Sequence, residues 1–64
     1  MTNKIRVYRS ISKISQQDLA LKLSVSRQTI NAIENDKYSP SLELALNMAK
    51  LFECQVEDLF SLKD

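Results

Sequence analysis

Glycine is absent from this 64-residue chain and proline occurs once, at Pro40. Hairpin turns rely on residues that accept positive φ or arrive with φ preset, so a chain nearly without them signals strands poorly. Its apolar residues recur instead at spacings of three and four, the period of a helix. The expectation is an all-α fold of five helices, forming one domain over residues 1–64, because a chain this short supports a single core.

The first helix is expected over residues 3–11, with Ile5 and Tyr8 inward. Ser15 then offers an N-cap, with Asp18 three residues on in capping-box spacing. The second helix follows over residues 16–23, burying Leu19, Ala20 and Leu23, and Ser26 caps a third over residues 27–35, with Ile30 and Ile33 inward. Ser39-Pro40-Ser41 opens the fourth, with proline suited to its first turn and serine to its cap. That helix runs to residue 52 and is expected to bury Leu42, Ala45, Ala49 and Phe52; a short fifth spans residues 56–60.

A domain this small usually needs extra support. The single cysteine, Cys54, excludes an internal disulfide, and with no histidine one thiol cannot build a structural zinc site. No metal and no cofactor is expected, so tight packing and self-association carry the burden. Cys54 reads as a small buried apolar residue; the alternative, a redox switch, needs a lowered thiol pKa that neighbouring Glu53 and Glu57 oppose. The N-terminus has no continuous apolar core and no stretch is long enough to span a bilayer, so a cytoplasmic protein is expected. Enzymatic chemistry is not: there is no histidine, nucleophile–base pair or phosphate loop, and adjacent Glu57 and Asp58 project in different directions.

The net charge of +1 points to no partner class, but its distribution is uneven. Residues 1–13 carry Lys4, Arg6, Arg9 and Lys13 and no acids, whereas residues 41–64 carry Glu43, Glu53, Glu57, Asp58 and Asp64 against Lys50 and Lys63. One face suits phosphates and the other turns away from them.

The second and third helices are short and joined by a tight turn, the spacing of a helix-turn-helix. Ala20 is small where the third helix crosses the second, and Val25 plugs the turn into the core. With Ile30 and Ile33 beneath, the third helix leaves Arg27, Gln28, Asn31 and Ala32 facing out or flanking the outward face. Together with Asn35 this face is rich in amides and a guanidinium, which suits base edges in a DNA major groove.

The series Ser15-Gln16-x-x-Leu19-Ala20-x-x-Leu23-x-Val25-Ser26-x-x-Thr29-Ile30-x-x-Ile33-Glu34 resembles the Xre, or lambda-repressor-like, family of DNA-binding regulators. Residues 35–38, Pro40-Ser41-Leu42 and Val56-Glu57-Asp58-Leu59-Phe60 continue the resemblance, and Arg9 sits where the family's first helix often carries arginine. It covers essentially the whole chain and looks most like compact regulators made of the DNA-binding domain alone. At four places where the family often has glycine this chain has Lys13, Ser24, Asp36 and Glu53. Either these turns are strained, by roughly 1 kcal/mol for a non-glycine residue, or they take another geometry.

The resemblance implies that the third helix lies in the major groove and the second crosses the backbone. Base contacts would then come from Arg27, Gln28 and Asn31, with Thr29 touching a thymine methyl or a phosphate. Phosphate contacts would come from Gln16, Gln17 and Ser26, and from Lys37 and Tyr38 beyond the third helix; Tyr38 has packing over the fourth helix as its alternative. It also implies a structural ion pair between Arg9 and Glu34, while Arg6, Lys4 and Lys13 read as solvated charges.

Leu44, Leu46, Met48, Leu51, Phe60 and Leu62 exceed what one inward face of the last two helices can hide. A twofold dimer through Leu44, Leu51, Phe60 and Leu62 is expected, setting two recognition helices about 34 Å apart on a palindromic operator. Val7 and Ile11 form a smaller second patch. The leading expectation is a homodimeric repressor with double-stranded DNA as partner and no membrane or small-molecule ligand. The alternatives are an antitoxin-type regulator, which would usually carry a toxin-binding tail beyond this chain's end, and a helical protein-interaction module that does not bind DNA.

Overall fold

The computed structural model describes residues 1–62; Lys63 and Asp64, counted above with the acidic C-terminal part, lie outside them. Five helices appear: α1 (Ile5–Ser12), α2 (Gln16–Leu23), α3 (Arg27–Glu34), α4 (Leu42–Leu51) and α5 (Val56–Leu59). A strand pair joins the chain's two ends, β1 (Thr2–Asn3) antiparallel to β2 (Phe60–Ser61), with Thr2 opposite Ser61 and Asn3 opposite Phe60. The expected first helix therefore begins two residues late: Asn3 is strand, and its side-chain oxygen accepts the Ile5 N–H at 3.1 Å. A strand pair closing distant chain segments needs no turn residue, so the absence of glycine does not exclude it.

Serine caps start α2, α3 and α4, where the Oγ of Ser15, Ser26 and Ser41 accepts the N–H of Asp18, Thr29 and Leu44 at 3.0–3.1 Å. In α2 the box is reciprocal, since the Asp18 carboxylate takes back the Ser15 N–H. Pro40 lies ahead of the Ser41 cap and not in the first turn of α4.

The C-terminal ends of α1 to α4 close with one motif. Lys13, Ser24, Asp36 and Glu53 all have φ of 56–59°. At each, this residue donates to a carbonyl three back and the next residue to one five back, as in Ser24 N–H to Leu21 O (3.2 Å) and Val25 N–H to Ala20 O (3.0 Å). This is the Schellman closure, which glycine makes without steric penalty. All four turns keep the left-handed geometry and bear the strain. Glu53→Gly and Lys13→Gly will therefore each stabilise the fold by about 0.5 kcal/mol, the relief of about 1–2 kcal/mol less about 0.5–1 for glycine's greater freedom when unfolded. A thermal melt will read this as a rise of about 2–4 °C. Asp36→Gly will not gain, because Asp36 makes a side-chain bond described below.

The core gathers Ile5, Leu19, Ala20, Ile30, Ile33, Met48, Ala49 and Leu59, all buried, with Leu23, Val25, Phe52 and Cys54 half-buried against it. Tyr8 is half-buried too, its ring 5.6 Å from that of Phe52. Two expectations about α4 reverse. Leu42 is 73 % exposed, whereas Met48, expected among the surplus apolar residues, is fully buried. Ala45, Met48, Ala49 and Phe52 set the inward face of α4, and on a 100° per residue wheel Leu42 falls on its flank.

Candidate nucleic-acid interface

The recognition candidate, α3, is gripped from its inner side. Ile30 and Ile33 are buried in the core, and beside them the Glu34 side chain is wholly inaccessible. Arg9 answers it across two bonds, Nε to Oε2 at 2.6 Å and Nη2 to Oε1 at 3.2 Å, while its Nη1 donates to Ile14 O at 3.1 Å. Burial pushes the Glu34 carboxyl up, but donors on Arg9 and Gln16 and the charges of Arg9 and Arg6 outweigh it and hold the carboxyl below the usual range. The ion pair expected between Arg9 and Glu34 is thus present, joined by Arg6 at 3.6 Å. Arg6 is not simply a solvated charge, whereas Lys13, whose backbone forms the α1 closure, is exposed as expected.

Gln16, expected as a phosphate contact, turns inward. Its Nε2 donates to Glu34 Oε1 at 3.0 Å and its Oε1 accepts from Arg27 Nε at 3.5 Å. One Nε2 hydrogen remains for a ligand. Gln16, Arg27, Gln28 and Asn31 together line an open cleft of about 380 Å³ on the outer face, so three of the four expected base-reading residues share one surface with the N-terminal residue of α2. Asn35 ties down Asn31, its Nδ2 donating to Asn31 O at 2.9 Å and Oδ1 at 3.2 Å. Ala32 lies one turn beyond Gln28 and is half-buried. It does not line the cleft, in keeping with a place on the flank of the outward face.

Thr29 stands apart from this cleft. Its Oγ1 lies 2.9 Å from Ser26 Oγ, and it lines a larger open groove of about 860 Å³ between the α2–α3 turn and α4. Tyr38, Leu44 and Leu51 line the same groove. Gln17, Ser26, Lys37 and Tyr38 are all exposed. Phe60 instead borders a small cavity with Met1, Ile33 and Tyr38, and Leu62 is 83 % exposed. Of the four residues expected at a dimer contact, Leu44 and Leu51 thus line the groove beside α4, Phe60 borders the smaller cavity, and Leu62 is open to solvent. Leu42 and Leu46 lie exposed on the flank of α4 turned away from the groove. Val7 and Ile11 are both exposed on α1.

Burial raises the Cys54 thiol pKa, and the Asp58 carboxylate adds to this against a bond with Tyr8. That environment suppresses thiolate chemistry. No helix among the described residues is long and apolar enough to cross a membrane.

The chain has counterparts among known proteins. The helix-turn-helix family model HTH_3 matches residues 5–59. An uncharacterised HTH-type transcriptional regulator of Methanocaldococcus jannaschii is 53% identical over 64 residues, covering 100% of this chain and 97% of that protein. The uncharacterised HTH-type regulator YgzD of Bacillus subtilis is 42% identical, over 100% of this chain and 97% of its own length. Among solved structures, a hypothetical transcription factor from Neisseria superposes with a TM-score of 0.76 at 22% identity, covering 84% of this chain and 62% of that one, a likeness of fold. With its capped α2–turn–α3 unit, amide-rich outer face and family match across 5–59, the chain belongs to the lambda-repressor-like helix-turn-helix transcriptional regulators.

Proposed function

We propose that this protein is a homodimeric repressor, acting in the cytoplasm, that reads a palindromic operator with one α3 from each subunit in successive major grooves. The observation that carries the reading is the outer cleft where Arg27, Gln28 and Asn31 converge on a helix whose inner side is immobilised. Arginine pairs with guanine O6 and N7, and glutamine or asparagine with adenine N6 and N7. Gln28 and Asn31 read bases, Arg27 reads a base or an adjoining phosphate, and the Ala32 methyl meets a thymine methyl. Thr29, on the flank, touches the edge of the site. Gln17, the free hydrogen of Gln16, Ser26, Lys37 and Tyr38 hold the phosphates on either side.

The twofold contact uses Phe60 and Leu62, extended by Leu42 and Leu46, whose exposure of 73 % and 52 % is large for leucine. Leu44 and Leu51 join it only where the partner reaches over the groove beside α4. Repression follows from occupancy, a bound dimer excluding polymerase from the overlapping promoter.

Binding-site selection from a random duplex library at near-physiological salt tests the reading. Enrichment of an inverted repeat with half-sites about 10 base pairs apart is the expected result. Folded protein that enriches no motif overturns it in favour of a protein-interaction module. Affinity for the selected site will also fall steeply with salt, by about a hundredfold or more between 50 and 200 mM, as phosphate contacts release counterions.

A further inference from the structure

The strand pair at the chain ends has a direct line to α3. Asn3 is held in place by its pairing with Phe60, and the next residue, Lys4, donates its N–H to Leu59 O at 2.8 Å. From there the Asn3 side chain works at both ends. Its Oδ1 accepts the Ile5 N–H at the start of α1. Its Nδ2 donates to Ile33 O at 2.9 Å, to Glu34 O at 3.3 Å and to Asp36 Oδ1 at 2.8 Å. The first two are last-turn carbonyls of α3, at the negative end of the helix dipole; neither has an i+4 helical partner, and Ile33 O also accepts the Asp36 N–H of the closing turn at 3.0 Å. The third belongs to the left-handed residue that closes α3 and directly precedes Lys37 and Tyr38.

We infer that Asn3 is a positioning residue for DNA reading, fixing the C-terminal end of α3 and the Lys37–Tyr38 segment to the β1–β2 ribbon. The inference rests on the reading of α3 as the recognition helix. Asn3 is not among the residues that line the outer cleft; it acts through the helix that carries them. Ser26 holds the N-terminal end of α3, Ile30 and Ile33 hold its inner face, and Asn3 holds the far end, leaving little freedom for the axis to swing. Recognition side chains work only when held within about 0.5 Å of their productive geometry. Because Phe60 lies on β2, the tie also links the proposed dimer contact to the pose of α3.

The discriminating variant is Asn3→Asp. It keeps an acceptor for the Ile5 N–H, loses both donors, and sets a carboxylate against Asp36 and the helix carbonyls. Asp36→Asn keeps the acceptor that Asn3 uses, and the double variant removes the like charge and supplies an amide donor from position 36. Each is compared with wild type and with Gln28→Ala for affinity to the selected operator and to a nonspecific duplex, well below its melting temperature. Asn3→Asp will lower the ratio of specific to nonspecific affinity about tenfold, towards the lower end of what one lost base contact gives. Asp36→Asn will leave that ratio unchanged, and the double variant will recover part of the loss. A purely structural role would lower the melting temperature and leave the ratio alone. If Gln28→Ala lowers the ratio and Asn3→Asp does not, the positioning role is overturned while the recognition helix stands. If neither lowers it, the assignment of α3 falls and this inference with it.

Discussion

Arg9→Met will destabilise the fold by about 3–5 kcal/mol near neutral pH, because it strands the buried Glu34 carboxylate. A domain this small sits near the lower end of the usual range of about 5–15 kcal/mol, so the loss takes most of its stability. The mechanism is specific. Arg9 supplies the 2.6 and 3.2 Å bonds to Glu34 and also satisfies Ile14 O, and none of these has a ready substitute. Arg6 approaches only one oxygen at 3.6 Å from a side chain that is 67% exposed, and Gln16 brings no charge.

The pH dependence distinguishes this loss from simple loss of packing. In the wild type the Glu34 carboxyl is held below its usual range. Its contribution to stability is therefore complete above the unfolded-chain value of about 4.3 and is lost as pH falls through the lower, folded value. Without Arg9 the burial that pushes the carboxyl up prevails, so the variant gains relative stability as Glu34 takes a proton. Urea melts at about pH 7 and about pH 4 will show the gap between the two proteins narrowing on acidification. Replacing both partners with Met will recover much of the loss, since an apolar pair leaves no buried charge. A gap that stays constant with pH would show that Arg9 acts by packing alone.

Gln28→Ala will weaken operator binding by about 1–3 kcal/mol, roughly 5- to 150-fold, the range for a lost bidentate base contact. Gln28 is exposed on the outer face and lines the cleft with Arg27 and Asn31, so its removal leaves the core untouched and the melting temperature close to wild type. The loss will concentrate at one position of each half-site, where the preference for adenine relaxes. Lys37→Ala will behave differently, weakening all duplexes to a similar degree and flattening the salt slope by about 0.9 per subunit. Titrating both variants against operator and nonspecific duplex separates base reading from phosphate holding. A Gln28→Ala protein that keeps full operator preference would remove α3 from the major groove.

Local chemistry determined most of the helical plan. Serines at 15, 26 and 41, each just ahead of an apolar 3–4 pattern, mark where α2, α3 and α4 begin, because capping is settled within three residues. The alternation of buried Ile30 and Ile33 with polar Gln28 and Asn31 likewise divides α3 into inner and outer sides before any neighbour is known. The Arg9–Glu34 pair and the four turn positions were legible through the family resemblance, because both serve the shared backbone.

Only the tertiary structure decided the rest, and in each case a distant segment is the cause. The β1–β2 ribbon pairs residues nearly a full chain apart and leaves no periodic trace in two-residue strands. Asn3 reads locally as an ordinary helix-start residue, and its second role appears only when the end of α3 arrives beside it. Gln16 reads as a free phosphate donor until the buried Glu34 carboxylate, eighteen residues on, claims its amide. Met48 and Leu42 are both apolar, yet one is sealed and the other open to solvent, because α2 and α5 pack against one side of α4. Periodicity specifies that a helix has an apolar face; how wide that face is, and which flank stays uncovered, depends on the neighbours that pack against it.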